Sequence, residues 1–283
     1  MRCFITGNRG FILQSRDRHL LRELAILEVA DCELVKAAAG FGSTTRANTR
    51  LLQLVRAGLL RRFFLGSGGG RKALYALSQK GAHLVDVPCR GPRRRQDEVL
   101  VADYYIAHQL GINEIYCTLK YKAVPGITFE RWVSFHQPVT PSSGLIPDGL
   151  VELRTASGIT SCFLEVDLGH ESLSIWQRKA QNYLQLALSG DFRKQFGQTS
   201  FRVLVLVNSE RRLQSIRKPL AAVTEKIFWF ATLESASSNF FAPIWLRPVG
   251  DQPKPFFTET CTSPKLHLGL PSWIGVGGGR ILG

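Results

Sequence analysis

No Asp or Glu occurs between Leu34 and Val85, although that stretch carries nine Lys or Arg: Lys36, Arg46, Arg50, Arg56, Arg61, Arg62, Arg71, Lys72 and Lys80. The lack of acids removes the counter-charges that would cancel a positive field. A field of one sign on a compact segment suits a polyanion, because each phosphate contact releases condensed counterions. Other scarcities exclude other classes. No apolar run approaches the roughly 18 to 20 residues of a membrane helix, so a spanning protein is not expected. The opening residues are interrupted by Arg2, Asn8, Arg9 and Gln14, so no secretory leader is expected. The six cysteines, at 3, 32, 89, 117, 162 and 261, form no CxxC pair and no Cys/His cluster. That argues against structural zinc and a disulfide framework, and makes a reducing cytoplasm the expected compartment.

Across its 283 residues the chain holds 36 Lys and Arg against 22 Asp and Glu, a formal charge of +14, with 45% hydrophobic content. Excess charge speaks to steering and non-specific binding rather than to fold. The length and apolar content suit two modest cores better than one large one.

Along the chain, Ser15 reads as a helix N-cap ahead of Leu20, Leu21, Leu24 and Leu27 at helical spacing. Asp31 caps a second short helix over Glu33 to Ala39, Gly40 and Gly42 break it, and Ser43 caps a third. Leu59 to Leu65 and Lys72 to Leu77 read as strands around the glycine-rich tip Gly66 to Gly70, and Ser78 starts a closing helix through Val85. Three helices, a hairpin and a further helix follow the order of a winged helix-turn-helix over residues 15–86. In that order the third helix enters the major groove. Thr44, Thr45, Arg46, Asn48 and Arg50 become candidates for the DNA interface, with Arg61, Arg62, Arg71 and Lys72 of the wing placed for phosphates. A basic surface that binds protein is the alternative. Pro88, Gly91, Pro92 and the run Arg93 to Arg95 then mark residues 87–97 as an exposed basic linker, either a further phosphate contact or a solubilising hinge.

Over residues 98–250 the pattern changes. A helix over Glu98 to Leu119 precedes strands at Ile127 to Phe135, Leu145 to Arg154 and Thr160 to Leu168. A helix over Leu173 to Leu188, a strand at Phe201 to Val207, a helix near Ser209 to Val223 and a strand at Ile227 to Thr232 complete the order α-β-β-β-α-β-α-β. After Asp251 the chain is rich in Pro, Gly, Ser and Thr and is expected to be irregular to residue 283.

Acids mark two neighbouring strands: Pro147-Asp148 on one, Glu165 and Asp167 on the next. Alternation puts Glu165 and Asp167 on one face, where Asp148 can converge with them. Three carboxylates that close repel unless a cation sits among them, and hard oxygen ligands suit Mg²⁺ or Mn²⁺. A PD dipeptide on one strand and acid-x-acid on the next resemble the PD-(D/E)XK nuclease superfamily, of restriction-endonuclease-like fold, whose metal polarises phosphate and activates water. The position where that superfamily carries its lysine holds Asp167. Members with a displaced lysine carry it on the following helix, where this chain has Lys179. Glu171 and Glu114 are further acids, each expected to lie at the surface.

Both halves together look like the replication-relaxation family of bacterial plasmids and mobile elements. The resemblance runs from Leu51-Leu52 and Gly58 through the wing residues Gly70, Tyr75, Ser78 and Gly81, then His108, Ile112, Asn113 and Glu114, to Ile146-Pro147-Asp148 and Phe163-Leu164-Glu165-Val166-Asp167 with Glu171. It covers residues 15 to 235 and implies a protein that acts on plasmid DNA, in replication or in relaxing supercoils. Two functions follow as expectations. One is a metal-dependent nickase targeted by its winged helix, with Asp148, Glu165 and Asp167 as metal ligands and catalytic residues and Lys179 stabilising charge. The other is a non-catalytic DNA-binding replication accessory or regulator with a degenerate nuclease fold. The expected partner is double-stranded DNA, bound by a homodimer where half-sites repeat. A covalent tyrosine mechanism is not expected: the six histidines form no triplet, and Tyr104-Tyr105 read as packing residues.

Overall fold

The computed structural model describes residues 11–66, 71–141 and 143–257, a mixed α/β fold with two sheets. Helix α1 (Ser15–Leu27) turns Leu20, Leu21, Leu24 and Leu27 inward and ends at Glu28, whose N–H donates to the Leu24 carbonyl. A short strand β1 (Ala30–Asp31) leads into α2 (Cys32–Ala39), started by the Leu34 N–H donating to the Asp31 carboxylate. Gly40 ends α2 at φ 63, a left-handed conformation that costs glycine little. The Ser43 hydroxyl accepts from the Arg46 N–H and starts α3 (Thr44–Arg56), which buries Ala47, Leu51 and Leu54. Strands β2 (Leu60–Leu65) and β3 (Lys72–Leu77) pair antiparallel with Leu60 opposite Leu77, and α4 (Gln79–Leu84) follows the Ser78 cap. These bounds agree with the expected helices and hairpin to within about two residues; residues 67–70 of the tip lie outside the described residues.

The end of the segment read as an exposed linker is hydrogen-bonded to the hairpin, and the residues after it extend the sheet. Strand β4 (Val99–Leu100) pairs parallel with β2, giving a sheet in the order β1-β3-β2-β4. The Asp97 N–H donates to the Arg62 carbonyl at 2.7 Å, and the Phe64 N–H to the Glu98 carbonyl at 2.8 Å. Gly91 lies so close beneath that a Cβ there would stand 2.4 Å from the Glu28 carbonyl oxygen. Glu98 therefore belongs to a strand connection, not to the helix expected to begin there. Helix α5 (Tyr104–Tyr121) starts later, where Asp103 accepts the Ile106 N–H.

The second sheet runs β5 (Thr128–Val133), β6 (Gly149–Thr155), β7 (Gly158–Asp167), β8 (Phe201–Val207), β9 (Phe228–Thr232) in that spatial order. The first three strands pair antiparallel, as the expected meander, and β8 and β9 join parallel to β7 and to each other. Helices α6 (Leu173–Ser189), α7 (Asp191–Phe196) and α8 (Glu210–Ala221) cover one face over Phe163, Val203 and Val205. Helix α5 and α9 (Leu233–Asn239) cover the other over Val151, Leu164 and Leu206. The short helices α7 and α9 were not anticipated, since six or seven residues carry too little periodicity to register. The expected irregular tail starts as packed structure: Phe256 is buried against Phe240 and Trp245, while residues 258–283 lie outside the described residues.

Helix α5 belongs to both cores. Its Ile106, Leu110, Tyr116 and Cys117 pack with the N-terminal helices, and its Ile112, Ile115 and Leu119 pack under the second sheet. Polar groups pin it. Buried Asn113 donates through Nδ2 to the Leu27 carbonyl at 2.8 Å and the Val29 carbonyl at 2.6 Å, while the Tyr116 hydroxyl and Lys120 both reach the buried Glu23 carboxylate. Asn113→Ala removes both side-chain hydrogen bonds, leaving the Leu27 carbonyl its bond from the Val29 N–H, and is expected to cost about 1 to 3 kcal/mol. Urea unfolding followed by far-UV CD and tryptophan fluorescence checks this, and the shared helix makes one coincident transition the expected result.

Candidate functional site

The acids sit where the β6–β7 pairing ends. Gly149 opposes Leu164, so one step further the register sets Asp148 opposite Glu165. Gly149 is required here: the Trp132 ring lies against it, and a Cβ would stand 2.4 Å from Trp132 Cζ2. The Val166 N–H donates to Asp148 Oδ2 at 2.6 Å, which ties the carboxylate to the neighbouring strand. On β7, Phe163, Glu165 and Asp167 turn toward α6 while Leu164 and Val166 turn toward α5, so the expected alternation is present.

Each acid has its own protein donors. Glu165, 2% exposed, accepts from Lys179 at 2.8 Å and from the Tyr183 hydroxyl at 2.6 Å. Lys179 also donates to Glu171 at 2.7 Å. Lys179 and Tyr183 stand one helical turn apart on α6, which brings both to one carboxylate. Asp167 accepts from the Gly169 N–H at 2.6 Å, from Trp176 Nε1 at 2.6 Å and from the Arg212 guanidinium of α8. His108 Nε2 lies 3.3 Å from Asp148 Oδ2 and 2.9 Å from the Val166 carbonyl.

Burial sets the electrostatics of these groups. It pushes the Glu165 carboxyl up to about 7, with Lys179 opposing and Asp148 adding to the rise. Burial works against the Lys179 charge, yet Glu165 and Glu171 outweigh it and raise that ammonium above its usual range. Burial also opposes the Asp167 charge, and the hydrogen bonds from Arg212, Trp176 and Gly169 overcome it, holding this carboxyl below its usual range. Among the described residues, no group of three or more His, Cys, Asp or Glu is disposed to hold a metal ion. Each acid already has protein partners: Lys179 bridges Glu165 and Glu171, Arg212 reaches Asp167, and His108 lies beside Asp148. As a three-acid set the residues do not fit Mg²⁺ or Mn²⁺ in this arrangement.

The sequence singled out Lys179 beside Asp148 and Glu165, and these do lie together. It missed the counter-ion Arg212 and the roles of His108, Trp176 and Tyr104. Tyr104 lies one turn before His108 and packs edge-on against His170, with ring centroids 3.8 Å apart. The i, i+4 spacing of Tyr104 and His108 was the available signal. Glu114 accepts from the Ser237 hydroxyl at 3.2 Å, on the α9 side of α5.

The basic residues of the N-terminal half divide in two. Acids from outside the acid-free stretch pair with several: Asp17 with Arg50, Asp97 with Arg62, Asp31 with Lys72 and Glu33 with Lys36. Arg50 is also stacked on Phe11, which makes it a structural residue of α1–α3 packing. Thr44 donates to Glu33, and Arg61 Nε donates to the Leu77 carbonyl. Thr45, Arg46 and Thr49 remain exposed along α3 with Asn48 partly so, and Arg71 is exposed at the tip end of the hairpin, just before β3.

Taken together, these are the features of a two-part α/β protein with a helical, hairpin-bearing N-terminal unit joined through one helix to an acid-bearing sheet. Residues 21–200 match the replication-relaxation family model, and the chain belongs to that family. Membership associates it with the replication or relaxation of plasmids and mobile elements. Neither a curated protein nor a solved structure matches it significantly.

Burial lowers the affinity of His108 for a proton, but Asp148 and the Val166 carbonyl outweigh burial and raise its titration above 6.5. The stabilisation from His108 is therefore complete below the unfolded value of about 6.5 and is lost as pH rises through the raised folded value. His108→Ala is expected to lower stability clearly at about pH 5.5 and little at about pH 9, with urea midpoints across that range as the measurement.

Proposed function

We propose that this protein binds duplex DNA of a plasmid or mobile element through α3 and the β2–β3 hairpin, as an accessory of replication or relaxation. The observation that carries the reading is the exposed row Thr45, Arg46 and Thr49, with Asn48 beside it, on a helix that follows α1, β1 and α2 and precedes the hairpin. That is the element order of a winged helix, in which this helix enters the major groove. Thr45 and Asn48 then meet base edges, and Arg46 and Arg71 hold phosphates. Thr44, Arg50, Arg61, Arg62 and Lys72 support the surface through their protein partners. A homodimer on repeated half-sites is the assembly this reading expects.

The acid cluster serves, on this reading, as a neutralised internal network rather than a cutting centre. A second reading, a DNA nickase, is favoured by one observation: Lys179 of α6 reaches Glu165 next to Asp148, which puts two acids and a lysine of a PD-(D/E)XK-like pattern beside one another.

Arg46→Ala with Arg71→Ala is expected to weaken duplex binding at least tenfold and to reduce the salt slope by about 1.8, at roughly 0.9 per lost phosphate contact. Anisotropy titrations at several salt concentrations measure both; an unchanged slope removes α3 and the hairpin from the interface. In a supercoiled-plasmid assay with Mg²⁺ or Mn²⁺ the native protein is expected to leave the plasmid intact. Nicking that disappears in both Asp148→Ala and Glu165→Ala establishes the second reading instead.

A further inference from the structure

We propose that a basic cleft between the hairpin sheet, residues 89–94 and the start of α5 binds a strand of unpaired DNA. The cleft has a volume of about 780 Å³ and is lined by Arg61, Arg90, Arg93, Arg94, Tyr105 and His136, among others. No residue of α3 lines it, so it is separate from the duplex surface proposed above and does not depend on that reading.

Charge, size and aromatic content point to the same ligand. Four arginines line the cleft against one carboxylate, Glu28, which accepts from the Tyr105 hydroxyl and lies 3.9 Å from His136 Nε2, while Arg94 is paired with Asp103 outside the lining. Arg90 and Arg93 project into solvent at the rim, where phosphates are reached without burying a charge. The volume lies within the roughly 300–1,000 Å³ of pockets that enclose small molecules, a size that a few nucleotides of one strand fill. Tyr105 is 45% exposed and His136 is exposed across the cleft. A cationic groove with aromatic rings is how proteins hold single strands without sequence preference, phosphates on the cations and bases on the rings. The cleft is also held open by structure: the linker is hydrogen-bonded along the hairpin, and the Cys89 thiol donates to the Leu77 carbonyl at 3.5 Å.

Anisotropy with labelled oligothymidylate and with a blunt duplex of equal length tests the assignment on the full chain. Arg90→Ala with Arg93→Ala is expected to weaken oligothymidylate binding at least tenfold and to lower its salt slope by about 1.4, at roughly 0.7 per phosphate contact on a single strand. Duplex affinity stays within twofold of native. Tyr105→Phe, which keeps the ring, binds oligothymidylate as the native protein does, and Tyr105→Leu is expected to bind at least about fivefold more weakly, as loss of one stacked base requires. Arg46→Ala with Arg71→Ala leaves oligothymidylate binding unchanged, which separates failure of this proposal from failure of the duplex reading. Native protein without measurable oligothymidylate affinity, or equal losses on both DNAs in the Arg90/Arg93 variant, overturns the proposal.

Discussion

Helix α5 is the constraint on which both halves of the molecule depend. One side of it completes the core of the N-terminal helices, and the other lies under the second sheet. A helix so placed cannot satisfy its surroundings with apolar groups alone, because it passes the end of α1, where carbonyls are left without helical partners. Asn113 supplies donors to the Leu27 and Val29 carbonyls there. Glu23 of α1 is met by Tyr116 and Lys120 of the same helix. Five residues before Asn113, His108 touches the Asp148 carboxylate and the β7 backbone. A single helix thus fixes the N-terminal unit against the acid-bearing sheet. The two halves are joined by packing, not by a flexible tether.

The acid cluster follows from the same economy of buried charge. Glu165 and Asp167 are almost fully inaccessible, and an unpaired carboxylate in such a place is costly enough to take up a proton or acquire a partner. Lys179 and Arg212 are those partners, carried by two helices that pack on the same sheet face. Removing one member of a buried pair costs on the order of 3–5 kcal/mol, because the other charge is left behind. Asp148 differs in lying at a strand end with partial exposure, held by a backbone N–H and by His108. The network is therefore graded, from a fully enclosed Asp167 to an accessible edge at Asp148, His108 and Tyr104.

Charge in the N-terminal half is similarly redistributed by folding. A stretch without acids carries a strong positive field in sequence, yet Asp17, Asp31, Glu33 and Asp97, all outside it, fold back onto Arg50, Lys72, Lys36 and Arg62. Arg46, Arg56, Arg71, Arg90 and Arg93 are among the cations that stay exposed outside these pairs. The more exposed of these pairs, Lys36–Glu33 and Arg62–Asp97, contribute little to stability individually, but all four decide which cations are left for a phosphate.

The sequence by itself determined the elements: apolar spacing, the caps at Asp31, Ser43 and Ser78, and alternation on β7 are local properties, and local sterics and hydrogen bonding suffice to express them. It also made Lys179 visible as a partner for Asp148 and Glu165, through the acid pattern and its place on the next helix. Only the tertiary structure decided that Val99 and Leu100, read as the start of a helix, add a strand to the hairpin sheet, that Arg50 is structural, and that Arg212 neutralises Asp167. Each of these depends on a contact between residues separated by tens of positions, such as Arg50 with Asp17 or Arg212 with Asp167. No periodicity in the chain encodes such contacts, because they are set by which faces pack once the cores have formed.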